Sequence, residues 1–345
     1  MQLESWYITG NGFHFGKHGL GQEQTSNCMP SDSLFAALVS RLAATKGTQY
    51  VDEFMEPFLN GSPPFLVSST FPFAGRVKFF PKPIRSISQG KMDGNEKSLK
   101  KIQYISERLF SQVINGNPLP DFLSKAKIFS EGQIAVSEEE IDQLPLLVRS
   151  NNTPIWKVEM KPRVTVERSS QKSSIFFTGR VIYAEECGMW FAIRWLKQDE
   201  PLKMIITNLF NDLSDAGLGA ERSTGFGECT IKPAETIDLP QIGNQPWVNL
   251  SRYIPKPDEM IAFDADFAAW SLVNVGGWVD SPDLRGKRRR PINLVSEGAL
   301  LASCGHDAPG NVVDVCPRFT KEAKPLGHPV YRCGLALGVG VKGGN

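Results

Sequence analysis

Leu202, Ile205, Ile206, Leu209, Phe210 and Leu213 recur at helical spacing and form the sharpest apolar stripe in the chain. Pro201 suits the first turn of the helix they predict. A second stripe, Leu34, Phe35, Leu38, Val39 and Leu42, predicts another helix. Ser31 or Asp32 can cap its start, and Gly47 marks its end. Alternation predicts strands elsewhere. Residues 2–8 are rich in aromatic and β-branched side chains, and Val158, Met160, Val164 and Val166 alternate. Ile175 to Ala184 and Met189 to Leu196 give two more strands joined near Glu186–Gly188, and Glu228–Lys232 a further one. Residues 60–155 hold no sustained period and read as a long insertion with some helix near Ser98–Val113.

The resulting order is strand, helix, insertion, two strands, helix, glycine-rich loop, strand. This is the split βαβ, ferredoxin-like order that RNA-recognition folds use. Pro233–Asn249, with three prolines, reads as a linker. Beyond it the chain is strand-rich. Phe267–Val275 alternates until Gly276-Gly277, Ile292–Val295 and Ala299–Ser303 flank a Glu297-Gly298 turn as a hairpin would, and Tyr331–Val341 alternates throughout. The expected fold is α+β, with two ferredoxin-like (RRM-like) units. The first, residues 1–238, carries the insertion near 60–155 and the glycine-rich loop; the second spans 239–345.

That loop is the strongest chemical signal. Gly217, Gly219, Gly225 and Gly227 fall within eleven residues, with Arg222, Ser223 and Phe226 between them. Glycine allows positive φ and close backbone approach. Exposed N–H groups in such a loop bind phosphate oxygens, and Arg222 adds charge. A Walker A loop ends in Gly-Lys-Ser/Thr and follows a strand, and a dinucleotide fingerprint runs strand, loop, helix. Here the order is helix, loop, strand, with no lysine, which weakens both readings. The bland alternative is a turn that closes a helix.

Composition narrows the setting. The 345 residues are 41% hydrophobic and 22% charged, values of a globular chain with one large or two medium domains. A net charge of +1 means that any nucleic-acid binding must come from local patches. No run of 18 apolar residues suggests a membrane span, and the opening Met1-Gln2-Leu3-Glu4 does not read as a signal peptide. Six cysteines without a CxxC pair point to reduced thiols in the cytoplasm.

Local patches exist. Phe13, Phe15 and Phe226 are candidate stacking platforms, or core residues. Ser31 and Ser33 flank Asp32 at a helix start, which also attracts phosphate. Lys82 and Arg85, with Lys97, Lys100 and Lys101, can track a phosphate backbone or form a solvated face. Lys287, Arg288, Arg289 and Arg290 make the densest basic run and suit RNA or an acidic partner. His14 and His18 could form a general acid–base pair, but a recognition loop uses histidine too. Cys304, His306, Cys316, His328 and Cys333 lack the close spacing of a zinc knuckle. No paired aspartates suggest two-metal hydrolysis. No cofactor is expected.

Four segments resemble the RAMP superfamily of CRISPR proteins, and more closely its Cas-five-like group, the fourth subunit of the Csm (type III-A) effector complex. They are Phe13–Gly16 with Ser31–Leu38, Phe80–Pro83, Gly217–Gly227, and Gly276–Val279 with Lys287–Pro291. The resemblance implies a non-catalytic RNA-binding subunit that caps the 5′ repeat-derived tag of the guide RNA. It implies docking of a large polymerase-cyclase-like subunit on one side and a backbone RAMP subunit on the other, with target RNA reached through the guide. A β-hairpin thumb pushes into the guide–target duplex in this superfamily. The polar tip from Arg168 through Lys172 to Ser174 stands where that thumb is expected. The alternative within the superfamily is a metal-independent endoribonuclease that processes precursor RNA; a third reading is an unrelated nucleotide-dependent enzyme.

Overall fold

The computed structural model describes residues 1–10, 12–16, 24–85, 96–166, 173–279, 287–317 and 327–343. A ten-stranded sheet organises the chain. Its path runs Cys229–Pro233, Gln2–Gly10, Cys187–Trp195, Phe71–Ala74, Val77–Pro81, Tyr104–Ser106, Ile134–Val136 and Lys127–Phe129. Phe65–Val67 also pairs with Cys187–Trp195, and Ile237–Asp238 with Gln2–Gly10. Tyr104–Ser106 and Ile134–Val136 pair in parallel. Among the described residues, no helix is long and apolar enough to cross a membrane.

The two predicted helices form. Glu200–Ala216 begins where Asp199 Oδ1 accepts the Leu202 N–H at 2.9 Å, and ends at Gly217, whose φ is 79°. Its Phe210 packs on Trp6 and Phe191 of the sheet, with ring centroids 4.7 and 5.2 Å apart. Ile205, counted in the apolar stripe, is exposed instead. Ser31–Lys46 ends at Gly47 as expected. Its start corrects the capping expectation. Pro30 is the N-cap and no side chain caps the helix. The Ser31 hydroxyl accepts the Arg252 N–H at 2.8 Å, and Asp32 turns into the core toward Arg332.

The insertion expected at 60–155 is corrected more deeply. Its first third supplies the strands Phe65–Val67, Phe71–Ala74 and Val77–Pro81, every residue of them buried. Trp190 packs on Phe71 and Phe80, and its indole N–H donates to the Phe79 carbonyl at 2.9 Å. The expected helix near 98–113 is two pieces, Glu96–Lys101 and Glu107–Ile114, with the strand Tyr104–Ser106 between. The strands Trp156–Val166 and Ser173–Tyr183 stand outside the main sheet. They pair with each other, register Trp156↔Tyr183 to Val166↔Ser173, as a two-stranded ribbon that a single bridge between Val181 and Phe13 joins to the rest.

Residues 239–343 are strand-rich, as read, but two details differ. Ile292–Val295 pairs with Leu272–Val275 and Leu300–Leu301 with Trp247–Asn249, so the Glu297-Gly298 turn closes no hairpin. Among the described residues of this part there is one 3₁₀ helix, Pro257–Phe263, and no α-helix. The two helices of a second ferredoxin-like unit therefore have no counterpart there. The apolar core is continuous across residue 238: Val248, Leu250, Leu335, Leu337 and Val339 join the cluster that holds Trp190 and Phe191.

A buried ion pair ties the ends of the chain together. Arg332 Nη1 lies 2.6 Å from Asp32 Oδ2, with the two side chains 4% and 1% exposed. Removing one partner strands a charge in the core. Arg332→Met is expected to cost about 3–5 kcal/mol, whereas Asp32→Leu with Arg332→Met should recover most of that loss. Urea denaturation of both variants checks the prediction; equal destabilisation would deny the pair its role.

Candidate nucleic-acid interface

The glycine loop is held to the segment after the first strand by backbone hydrogen bonds. Gly227 N–H donates to the Gly12 carbonyl at 2.7 Å, and Ala220 N–H to the His14 carbonyl at 3.0 Å. Leu218 N–H closes the loop on the Gly227 carbonyl at 2.8 Å. Thr224 and Gly225 N–H bond back to Glu221 and Arg222. The expected cradle of outward N–H groups is thus largely taken up inside the protein. Exposed side chains of Arg222, Ser223 and Thr224 form the outer face.

The glycines divide by function. Gly217, Gly219, Gly225 and Gly227 all have positive φ. A Cβ on Gly227 would fall 2.2 Å from the Leu218 carbonyl oxygen, and one on Gly219 2.6 Å from that of His14. At Gly225 nothing lies within 4 Å. Gly219 and Gly227 therefore belong to the fold, and Gly225 alone faces open space. The three aromatic candidates are likewise corrected: Phe13, Phe15 and Phe226 are buried, so none is a free stacking platform. Phe13 and Phe15 stack on each other with centroids 5.4 Å apart. His14 is buried too, its Nδ1 donating to the Gly179 carbonyl at 2.7 Å. That bond fixes the ring as a structural element. His18 lies outside the described residues.

Two arginines escaped the sequence reading. Arg163 and Arg180 come from opposite strands of the ribbon and lie over the Phe226 ring, guanidinium to centroid 5.1 and 5.5 Å. Arg163 also donates to Thr224 Oγ1 and lies 4.0 Å from Glu221. Phe226 thus positions cations. The ribbon seats itself here through mutual N–H···O bonds between Phe13 and Val181 at 2.9 and 2.8 Å. Arg163, Arg180 and Arg222 gather around one loop, a local positive field that the net charge conceals. A signal was available for one of them: Arg163 falls on the polar phase Lys157, Glu159, Lys161, Arg163 of its strand, whereas Arg180 shares its phase with Phe176 and Ile182.

The other candidates lie elsewhere. Lys82 is half-buried, donates to the Leu99 carbonyl at 2.6 Å, and has its pKa pushed below the ordinary lysine value by burial. Arg85 donates to the Asp266 carbonyl at 2.7 Å. Ser31 is buried, and Ser33 is half-buried with its N–H on the Pro30 carbonyl. In the basic run, Arg288 covers the Trp278 ring at 4.7 Å and Arg289 N–H bonds the Gly277 carbonyl. Arg290 is exposed and donates to the carbonyls of Cys316 and Asp314. Arg168 and Lys172, with the rest of 167–172, lie outside the described residues.

Comparison with known proteins finds chains similar to this one. Residues 243–341 match the family described as the CRISPR Csm4 C-terminal domain. Two relatives, each described as CRISPR system Cms protein Csm4, align over most of the chain. That of Thermococcus onnurineus is 24% identical and the match covers 90% of this chain and 91% of the relative. That of Methanocaldococcus jannaschii is 24% identical, with 94% and 93% covered. A chain in the crystal structure of a Csm3-Csm4 subcomplex of the type III-A CRISPR-Cas interference complex superposes with a TM-score of 0.67. It is 18% identical, over 99% of this chain and 100% of that one. A chain in a Csm1-Csm4 cassette bound to pppApA gives 0.59 at 18% identity, over 99% and 98%. The chain has a mixed α+β fold and is similar to Csm4 proteins of type III CRISPR systems.

The geometry separates the loop glycines in a measurable way. Gly225→Ala meets only the backbone penalty of a left-handed residue, about 1–2 kcal/mol. Gly227→Ala adds a clash with backbone and should lower the melting temperature by a clearly larger margin. Thermal melts of the two variants check this; equal shifts would contradict the packing described.

Proposed function

We propose that this protein is the non-catalytic RNA-binding subunit of a type III CRISPR effector complex, holding the 5′ repeat-derived tag of the guide RNA. The observation that carries the reading is the convergence of Arg163, Arg180 and Arg222 on the outer face of the glycine loop. Guanidinium groups pair with phosphate oxygens in bidentate fashion, and the exposed Ser223 and Thr224 hydroxyls add neutral donors. The main sheet supports the reading as an RRM-like platform. Strand order Cys229–Pro233, Gln2–Gly10, Cys187–Trp195, Phe71–Ala74, with helices Ser31–Lys46 and Glu200–Ala216, follows the split βαβ arrangement.

Partners follow from likeness. Similar chains occur in Csm3-Csm4 and Csm1-Csm4 assemblies. By that likeness this protein docks a large polymerase-cyclase-like subunit and a backbone RAMP subunit, in the cytoplasm. The paired strands Trp156–Val166 and Ser173–Tyr183 are the candidate thumb, and their Val158, Met160, Val164, Ile175 and Phe177 are exposed. An endoribonuclease reading gains nothing from His14, whose ring is buried and bonded to backbone.

Reconstitution with partner subunits and guide RNA tests the proposal. Arg222→Ala with Arg180→Ala should reduce guide retention on size-exclusion columns, and the deficit against wild type should narrow as salt is raised, because the variant makes fewer phosphate contacts. The slope of log K against log salt should become shallower by about 1.4, the value for two contacts to a single strand. Retention and slope equal to wild type, in a folded variant, would refute the loop as the RNA contact.

A further inference from the structure

One face of the main sheet is closed except at a corner. Trp6 and Phe191 lie in the phase that packs on Phe210 of the helix Glu200–Ala216. The opposite phase holds Tyr7, Trp190, Phe71 and Phe73, set side by side by the pairs Tyr7↔Trp190, Trp190↔Phe71 and Gly188↔Phe73. Phe80 packs on Trp190 there and stacks on Phe110 of Glu107–Ile114, with centroids 4.3 Å apart. Further along, Arg194 donates to the Asp307 carbonyl of the C-terminal part at 3.0 Å. A cleft of about 840 Å³ remains where Gln2–Gly10 ends and Cys187–Trp195 begins. None of the glycine-loop residues 217–227 lines it.

The cleft is apolar inside, lined by Phe73, Leu144, Pro145 and Tyr183, all buried. Backbone contacts fix its shape. Gly75 N–H donates to the Glu186 carbonyl at 2.9 Å, and a Cβ on Gly75 would fall 2.3 Å from the Gln143 carbonyl oxygen. Three turns from separate parts of the chain are thereby locked around one space. A site held open in this way loses little entropy when it is filled.

Its charge is negative. Three carboxylates, Asp142, Glu185 and Glu186, line it against one cation, Arg76. Arg149 matches Asp142 at 2.8 Å. Glu185 and Glu186 are exposed and have no ion-pair partner among the described residues. In a chain of net charge +1 this corner is a local acidic field that disfavours phosphate. Beside the wall residue Pro145, Leu146 and Leu147 begin the helix Leu146–Asn151 and are 64% and 44% exposed. Adjacent bare leucines next to an apolar cleft suit a protein surface, and the two unpaired carboxylates set the sign of the charge it brings.

We propose that this corner docks a cationic segment of a protein partner. An arginine or lysine of that segment meets Glu185 and Glu186, and its aliphatic side chains cover Leu146 and Leu147 and enter the cleft over Phe73 and Pro145. This is a binding function separate from RNA contact at the glycine loop and does not depend on it.

Fluorescence anisotropy with a labelled peptide of alternating arginine and leucine, titrated with the purified full chain, tests it. The same peptide with glutamate in place of arginine is the control. The arginine peptide should bind and the glutamate peptide should not. Glu185→Gln with Glu186→Gln should weaken binding about tenfold, the scale of two partly exposed charge pairs. Leu146→Ser should weaken it about threefold through lost apolar contact. These side chains are exposed, so melting temperatures should stay at the wild-type value. Guide RNA retention should be unchanged in all of these variants, and Arg222→Ala with Arg180→Ala should leave peptide binding intact, which separates this site from the RNA reading. No binding of the arginine peptide, equal binding of the glutamate peptide, or wild-type affinity in the double glutamine variant would overturn the proposal. Spermine serves as the small-cation arm. If it displaces the peptide at equal concentration, the cleft is a polyamine site and the protein-docking assignment falls.

Discussion

The contact on which the candidate surface depends is the hydrogen bond from Gly227 N–H to the Gly12 carbonyl, 2.7 Å long. It draws the loop against the chain leaving the first strand, where a methyl group on Gly219 would collide with the His14 carbonyl oxygen, while one on Gly227 would collide with Leu218 across the loop itself. Four left-handed glycines make that approach possible. Its consequence lies at Phe226, whose ring is buried against the ribbon and carries two guanidinium groups over its face. Glycine thus acts here through packing, and arginine presents the charge.

The same logic joins the two ends of the chain. Asp32 opens the first helix and Arg332 stands on a strand 300 residues later, yet they meet in the core. Ser31, one residue earlier, accepts the Arg252 N–H. The side chains at this helix start are thus engaged by the C-terminal part, while the Ser31 N–H donates to the Ser69 hydroxyl at 2.9 Å. That arrangement places Arg252 and Glu297 with Lys82 around one small cleft.

Much of this was legible in the sequence. Helix Glu200–Ala216, strand Gln2–Gly10 and the loop between helix and strand follow from periodicity and glycine spacing. The strands from Phe65 to Pro81 were hidden because they are buried on both faces, so apolar residues run on without alternating, and Pro72 and Pro81 argue against strand. Local signals failed where tertiary bonds outbid them. The cap expected from Ser31 and Asp32 lost to Arg252 and Arg332, and the hairpin expected at Glu297-Gly298 lost to Ser69 and Arg252. Phe13, Phe15 and His14 looked like recognition residues because a glycine-rich loop follows them, but their neighbours are core and backbone. Arg163 was readable on the polar phase of its strand; Arg180, in phase with Phe176 and Ile182, needed the ribbon register.

The central claim is that guide RNA lies against the loop side of the ribbon. Ultraviolet crosslinking of the assembled complex, followed by mass spectrometry of RNA-bearing peptides, tests it most directly. The account predicts that nucleotides of the 5′ tag crosslink to peptides containing Arg222–Phe226. Tag crosslinks confined to other surfaces of this chain, or to other subunits alone, would contradict it.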